Sequence, residues 1–368
     1  MATLPRRGVF VTMHVAVAGW LLGAPSGANR RLLALLRELG PRLRPDERVT
    51  VLHRPDQAPP SLPGIHWCAV PIPAGPTWRR VLAEHRHLPG VLRELGATLL
   101  DHGFLPLPKV PVPVCLLVHD VRGLHGLSRW PRWTTARALR RAGAGAASIV
   151  VPSEWTRTQL LPFVADPQRL VVVPNGVDLP TSPAKAPLPV PLPHAGYLLH
   201  AGHVEARKNL GVVVQALARL PADQRPELWL AGADAGALAG LQRMARAESV
   251  TVRAFGVVAE DVLASLYAQA LAVVLPSRHE GFGLPALEAL AHGAPLFVSD
   301  AGALPEVVGD AAVVLPTDDV EAWARALGTV HDPALRDAAA RRRRVEHAEH
   351  WSWAAAAERL LLVWRQHG

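Results

Sequence analysis

Between Leu179 and Pro193 the chain reads Leu-Pro-Thr-Ser-Pro-Ala-Lys-Ala-Pro-Leu-Pro-Val-Pro-Leu-Pro, a stretch that can join neither a helix nor a central strand. Each proline removes a backbone donor and biases the residue before it toward an extended conformation. The stretch is a linker, and it leaves two halves that must each build a core. Both halves alternate short apolar, β-branched runs with helical patterns. The first has strand-like runs at 9–18, 48–53, 97–101, 112–118, 147–151 and 170–173, with helical patterns at 30–39 and 135–142. The second has them at 197–201, 227–231, 250–253 and 270–276, with helical patterns at 210–220 and 261–268. That alternation predicts an α/β class, with an open parallel sheet and helices on both faces in each half. A chain of 368 residues also exceeds what one core usually organises. The expected domains are 1–178, a linker at 179–195, 196–345, and a terminal helical segment at 346–368 that carries Trp351, Trp353 and Trp364.

An apolar fraction of 49% with 19% charged residues describes a globular chain rather than a disordered one. Cys68 and Cys115 are its two cysteines, in apolar surroundings and without C-x-x-C spacing. A disulfide framework or zinc site is not expected, and a reducing cytosol is permitted. Arg6-Arg7 before an apolar run could pass for a signal peptide, but a first buried strand feeding the loop at 23–27 and the helix after it explains the same residues. The net charge of +8 divides unevenly, +11 over 1–180 and −3 over 181–368. Lysine occurs three times, and one of the three is Lys208.

The residues that carry chemistry cluster in the second half. The run at 270–276 is the strand that ends at Pro276. Gly281 and Gly283 then supply a turn, Pro285 suits a first helical turn, and Ala286 to Ala291 continue as helix formers. A helix starting near Leu284 aims unpaired amides and the positive end of its dipole at whatever lies over the turn, which favours a diphosphate. Glu280 in the turn and Glu288 one turn inside the helix offer acceptors to hydroxyls, the first to a sugar and the second to a ribose. After the strand at 197–201, Arg207 and Lys208 stand at another helix entrance, where a guanidinium fork and an ammonium can meet the same phosphates. In the first half, the strand at 112–118 ends in His119-Asp120, and a histidine at the carboxyl end of a parallel strand faces the ligand crevice of such sheets.

The segment Ser277-Arg-His-Glu280-Gly281-Phe282-Gly283-Leu284-Pro-Ala-Leu-Glu288, its continuation Ser299-Asp-Ala-Gly302 and the Arg207-Lys208-Asn209 element together resemble retaining glycosyltransferases of the GT-B type, family 4. The resemblance implies two Rossmann-like domains facing an interdomain cleft, with the last helix crossing back onto the N-terminal domain. It implies transfer of a mannose- or glucose-type hexose from a nucleotide diphosphate sugar, GDP-mannose or a UDP-sugar, to a hydroxyl of a glycan or lipid-linked acceptor. His119 and Glu280 would be catalytic. Gly27 in the first βα turn would join Arg207, Lys208, Gly281, Phe282, Gly283, Leu284 and Glu288 at the donor. His203 stands where some members carry arginine. No D-x-D element is required, so neither a metal nor another cofactor is expected. Base contacts are expected from 255–258.

Other classes fit less well. There is no H-E-x-x-H for a metal hydrolase, and no G-x-S-x-G elbow. A nucleotide-sugar epimerase would share the phosphate contacts. A non-catalytic polyanion-binding protein is favoured by the charge, although no clustered nucleic-acid motif supports it. Arg122, Arg129, Arg132, Arg137, Arg140 and Arg141 with Trp130 and Trp133 form either a solvated basic helix or a peripheral contact with an anionic inner membrane face.

Overall fold

The computed structural model describes residues 11–23, 26–125 and 132–368. They form two compact units, 1–176 with 353–368 and 177–352. The first unit contains strands β1 (Met13–Ala18), β2 (Glu47–His53), β3 (Ile65–Ala69), β4 (Leu99–His102), β5 (Val114–Leu117), β6 (Ser148–Val151) and β7 (Leu170–Val172). They form one parallel sheet in the order β3-β2-β1-β4-β5-β6-β7. Its helices are α1 (Gly27–Leu39), α2 (Thr77–Leu95), α3 (Arg132–Gly145) and α4 (Glu154–Leu160). The hydroxyl of Ser26 caps α1 by accepting from the Asn29 amide at 3.2 Å. Arg31, Ala34, Leu35 and Leu39 follow at helical spacing and are buried.

No helix or strand lies between Val172 and Tyr197, where the proline-rich stretch runs. The second unit then contains β8 (Tyr197–Ala201), β9 (Glu227–Ala231), β10 (Val252–Ala254), β11 (Ala272–Leu275), β12 (Leu296–Ser299) and β13 (Val313–Leu315), with α5 (Leu210–Ala218), α6 (Leu238–Ala247), α7 (Glu260–Gln269), α8 (Leu284–Ala291), α9 (Leu304–Val308), α10 (Val320–Leu327) and α11 (Ala338–Glu349). Its parallel sheet has the order β10-β9-β8-β11-β12-β13. Both sheets start in the middle, build outward to one side and then cross to the other. Each therefore has a switch point, between β1 and β4 and between β8 and β11, where loops diverge and leave a crevice at the carboxyl ends. Leu198, Val213, Leu230, Val274, Phe297 and Trp323 pack the core of the second unit.

The chain's last helix, α12 (Trp353–Arg365), belongs to the first unit. Trp364 donates to Asp101 at 2.9 Å, and Arg365 forks onto Glu47 at 2.7 and 2.9 Å. The helical segment expected at 346–368 is thus corrected to the end of α11 and α12, whose break at 350–352 is tertiary in origin. The Trp351 carbonyl accepts from Val177 N at 2.9 Å, and its ring meets Phe282 edge-on at 5.4 Å. Both contacts lie in the second unit, so the chain leaves helical geometry there before α12 begins.

Candidate functional site

The second unit's switch point brings two loops together. After β8 the chain turns at Gly202, makes a single turn at 206–208 and enters α5 through Asn209, whose φ of 54° is left-handed. After β11 comes the run from Pro276 to Gly283. The Arg207 carbonyl accepts from Arg278 N at 2.8 Å, which fixes the two loops in register.

Glu280 lies at their meeting point. Its Oε1 accepts from Lys208 Nζ at 2.5 Å and from Ser277 Oγ at 2.8 Å, and its Oε2 from Arg207 Nη1 at 3.1 Å. Arg207 also reaches the His279 carbonyl at 2.9 Å and Glu205 at 2.7 Å. The side chains of Lys208, Glu280 and Arg207 are 6%, 12% and 16% exposed. Burial alone would raise the Glu280 carboxyl. The Lys208 and Arg207 charges and the Ser277 hydrogen bond outweigh it and hold the group at about 2. Glu280 is therefore a carboxylate at every ordinary pH and cannot serve as a proton donor. The expected phosphate-binding cations and the expected sugar-binding carboxylate form one cluster. With Glu205 included, its two positive and two negative charges cancel, so the cluster offers aimed donors rather than a net positive field.

This arrangement gives stability a pH dependence. The folded value near 2 lies below the ordinary 4.5 of Glu280. The ion pairs therefore stabilise the unit fully above about pH 4.5 and lose that contribution as pH falls toward 2, a loss of about 3 kcal/mol. Thermal unfolding at pH 5 and pH 2.5 should show a steeper drop for the unsubstituted protein than for Glu280→Gln. Equal drops would contradict the pairing.

The backbone of Glu280 is held as firmly as its side chain. Its carbonyl accepts from Ala303 N at 2.9 Å, and Gly302, at φ 66°, packs directly on it. Ser299 Oγ donates to the Ser277 carbonyl from below. Gly281 is buried, and Gly283, at φ 100°, ends the turn. Leu284 then opens α8 with Pro285 in its first turn and no side-chain cap on its amides. Phe282 is buried against Trp351, so it faces a ligand only through its backbone. Glu288 lies in the second turn of α8, half-buried, and accepts from the Tyr267 hydroxyl at 2.9 Å, while His292 stacks on Tyr267 at 5.3 Å. The two glutamates thus have different surroundings, one ion-paired and the other hydrogen-bonded to a phenol. At 255–258, Phe255 packs edge-on against Trp229 at 5.2 Å, and Val257 is exposed.

In the first unit His119 follows β5 at the carboxyl end of the sheet. It lines a cavity of about 60 Å³ with Arg31, Asp101 and Gly103. Burial, then the Arg31 charge, pushes its imidazole down to about 4, so it is neutral at pH 7. Asp120 accepts from Arg122 N at 3.2 Å, a local turn contact. Arg31 is fully buried, donating to the Val173 carbonyl at 3.2 Å and to Asn175. Burial lifts Asp101 to about 6, against the Trp364 hydrogen bond and the Arg31 charge. Gly27 is not in the turn but is the first residue of α1, and it is exposed.

Several of these partners escaped the sequence reading. Ser277 lies three residues before Glu280, inside the quoted segment, and Glu205 lies two residues before Arg207, just outside the quoted Arg207-Lys208-Asn209 element. Tyr267, Arg31 and Asp101 have no local signal, because a buried charge is visible only once its partners are placed. Of the arginine–tryptophan region, Arg129 and Trp130 lie outside the described residues. Trp133 is 69% exposed on α3 beside exposed Arg132, Arg137 and Arg141. Among the described residues no helix is long and apolar enough to cross a membrane.

Residues 25–180 match the family model described as Glycosyltransferase Family 4, and residues 195–332 match Glycosyl transferases group 1. The chain is 33% identical over 231 residues to the O-antigen chain mannosyltransferase B of Escherichia coli, with 59% of this chain and 60% of that one covered. It is 30% identical over 302 residues to a D-inositol 3-phosphate glycosyltransferase of Corynebacterium aurimucosum, with 76% and 70% covered. Among solved structures, sucrose-phosphate synthase from Thermosynechococcus elongatus superposes with a TM-score of 0.79 at 19% identity, with 96% of this chain and 98% of that one covered, a likeness of fold. With the ion-paired Glu280 at the mouth of α8, two sheets of one topology and these matches over both halves, the chain belongs to glycosyltransferase family 4.

Proposed function

We propose that this protein is a retaining hexosyltransferase that moves a mannose- or glucose-type residue from a nucleoside diphosphate sugar to a hydroxyl of a glycan or lipid-linked acceptor, with no obligatory metal. The observation that carries the reading is the Arg207–Lys208–Glu280 cluster beside the uncapped start of α8. In the reaction the bond from the anomeric carbon to the diphosphate breaks, and negative charge gathers on the departing oxygen. Lys208, Arg207 and the amides from Phe282 to Leu284 stabilise that charge without covalent chemistry. The ionised Glu280 accepts hydrogen bonds from sugar hydroxyls and offsets positive charge growing on the ring. The acceptor oxygen bonds to the anomeric carbon on the face the diphosphate leaves, and its proton passes to the diphosphate oxygen. His119, neutral at pH 7, offers a hydrogen bond rather than a charge and is the candidate on the acceptor side. Glu288 takes the ribose hydroxyls.

A mannosyltransferase and an inositol phosphate glycosyltransferase among the relatives support a hexose donor and a hydroxyl acceptor. The test is release of nucleoside diphosphate from GDP-mannose or a UDP-hexose, in the presence of a chelator, with and without candidate acceptors. Release that depends on acceptor and falls at least about tenfold in Glu288→Ala supports the reading. Conversion of the donor without acceptor would identify an epimerase instead, and complete loss of turnover on chelation would remove the metal-independent part.

A further inference from the structure

The first unit exposes two helical faces of the same make. On α2, Trp78, Leu82, His85 and Arg86 stand at i, i+4, i+7 and i+8, and all four are exposed. Trp78 and Leu82 are 62% and 63% exposed, and the Arg79 guanidinium lies over the Trp78 ring at 5.2 Å. On α3, Trp133, Arg137, Arg140 and Arg141 repeat that spacing and are exposed as well. The buried positions lie elsewhere on each helix, Glu84, Leu88 and Leu92 on α2 and Leu139, Ala142 and Gly143 on α3. Core packing therefore does not account for Trp78, Leu82 and Trp133. A single exposed apolar side chain is ordinary, whereas three large ones framed by arginine mark an interaction surface.

Strand register puts both faces on one side of the unit. Leu100 pairs with Val114 and His102 with Leu116, so Leu100, Val114 and Leu116 point to the same face of the sheet. Leu88 and Leu92 of α2 pack in the core that contains Leu100 and Val114, and Leu139 and Ala142 of α3 in the core that contains Leu116 and Ile149. The two helices thus share that face, and β5 contributes to the core under each. Each follows a strand of a parallel sheet and runs back against it, so both begin at the carboxyl edge, where His119 lies. Trp78 and Trp133 are the second residues of their helices, which places both indoles at that edge.

Charge follows the same pattern. Four arginines and no acidic residue occur in α3. On α2 the Glu84 carboxylate is buried with Arg80, and the exposed Glu94 lies near the helix end far from Trp78. Arg79, Arg86, Arg132, Arg137 and Arg141 flank the three apolar side chains with positive charge. Indole settles at the level between lipid headgroups and acyl chains, and arginine adds attraction to anionic headgroups. A polyanion with no apolar layer would meet the charge but leave both indoles and Leu82 in water.

We propose that the outer faces of α2 and α3 together dock the first unit on an anionic lipid surface, with Trp78, Leu82 and Trp133 entering the interface and the arginines meeting the headgroups. The docking goes beyond the transfer reaction and does not depend on it. It brings the carboxyl edge of the sheet toward the lipid, which suits a lipid-linked acceptor. Co-sedimentation of the full chain with phosphatidylcholine vesicles, with and without phosphatidylglycerol and at low and high salt, tests it. Binding should be at least about tenfold tighter to the anionic vesicles and should weaken with salt. Trp78→Ser with Trp133→Ser, and separately Arg137→Ser with Arg141→Ser, should each weaken it at least about tenfold. Arg342→Ser with Arg343→Ser removes equal charge from exposed positions on α11 in the second unit and should weaken it less than about threefold. All the substituted positions are exposed, so none of the variants opens a core. Absence of binding to anionic vesicles, no loss in the tryptophan pair, or equal losses in the two arginine pairs overturns the docking. Tighter binding to poly-glutamate than to the vesicles overturns it in favour of an acidic protein surface. Titration with nucleoside diphosphate hexoses in the absence of lipid should be the same in all three variants as in the unsubstituted protein, so the docking and the transferase reading fail separately.

Discussion

Replacing Lys208 with alanine should lower the rate of hexose transfer by about 10²- to 10³-fold, the usual cost of removing one preorganised group that stabilises charge in a transition state. The side chain is 6% exposed and its ammonium lies 2.5 Å from Glu280, so it is held in place before any ligand arrives. Most of the loss should appear in kcat rather than KM, because in the proposed reaction the charge that Lys208 meets grows only as the bond to the diphosphate breaks. The same substitution leaves Glu280 with Arg207 and Ser277 as its remaining side-chain partners. Breaking a largely buried pair in this way should cost on the order of 3 kcal/mol of stability. The carboxyl should also titrate higher than it does beside Lys208. Initial-rate kinetics and thermal unfolding of the one variant measure both effects. A kcat within about threefold of the unsubstituted protein would remove Lys208 from the chemistry.

Gly302→Ala is the second substitution with a large expected effect, although Gly302 offers no side chain to a ligand. A Cβ there would stand 2.4 Å from the Glu280 carbonyl oxygen and 2.7 Å from its amide nitrogen, both backbone atoms that cannot rotate aside. The backbone is also left-handed at φ 66°, which costs a residue with a Cβ about 1 to 2 kcal/mol even in open space. The turn at 302–303 must therefore move away from Glu280, and the Ala303-to-Glu280 hydrogen bond is strained with it. Misplacing a positioning group by about 1 Å is enough to cost on the order of 10²-fold in rate. Gly236→Ala is the matched control, because φ there is 98° and nothing lies within 4 Å of the added carbon. Both variants should lose stability to backbone strain, and only Gly302→Ala should lose transfer. Equal activities in the two would mean that the 302–303 turn does not set the position of Glu280.

The parts of the fold that could be read from the sequence are those whose signal is local. The strand β11 is buried throughout and appears as an unbroken apolar run, β8 and β9 are apolar runs broken only by His200 and opened by Glu227, and the prolines at 179–193 mark a boundary by their chemistry alone. The helix α2 was not anticipated, although it spans 19 residues, because Pro89 interrupts it and its buried positions include Glu84. Glu84 is tolerated there only because Trp20, Arg80 and His102 converge on it. The strand β3 also went unread. As an edge strand it buries only Ile65 fully, so it shows neither a long apolar run nor clean alternation.

The candidate site divides in the same way. Glu280, Glu288, Arg207 and Lys208 announced themselves through glycine, proline and charge at short spacing. Their mutual contact did not, because it joins residues more than seventy positions apart through the switch point between β8 and β11. The consequence for function is specific. Two cations expected to stand ready for phosphate already hold a carboxylate, so ligand binding must reuse an existing network rather than fill a positive patch.

Titration of the full chain with nucleoside diphosphate hexoses, followed in parallel on Lys208→Ala and Glu288→Ala, tests the central claim most directly. The account predicts one site per chain for at least one such compound, with binding weakened at least about tenfold by Glu288→Ala and less by Lys208→Ala, while the folded state persists in both. Absence of binding to every nucleoside diphosphate hexose, or binding that neither substitution changes, would contradict it.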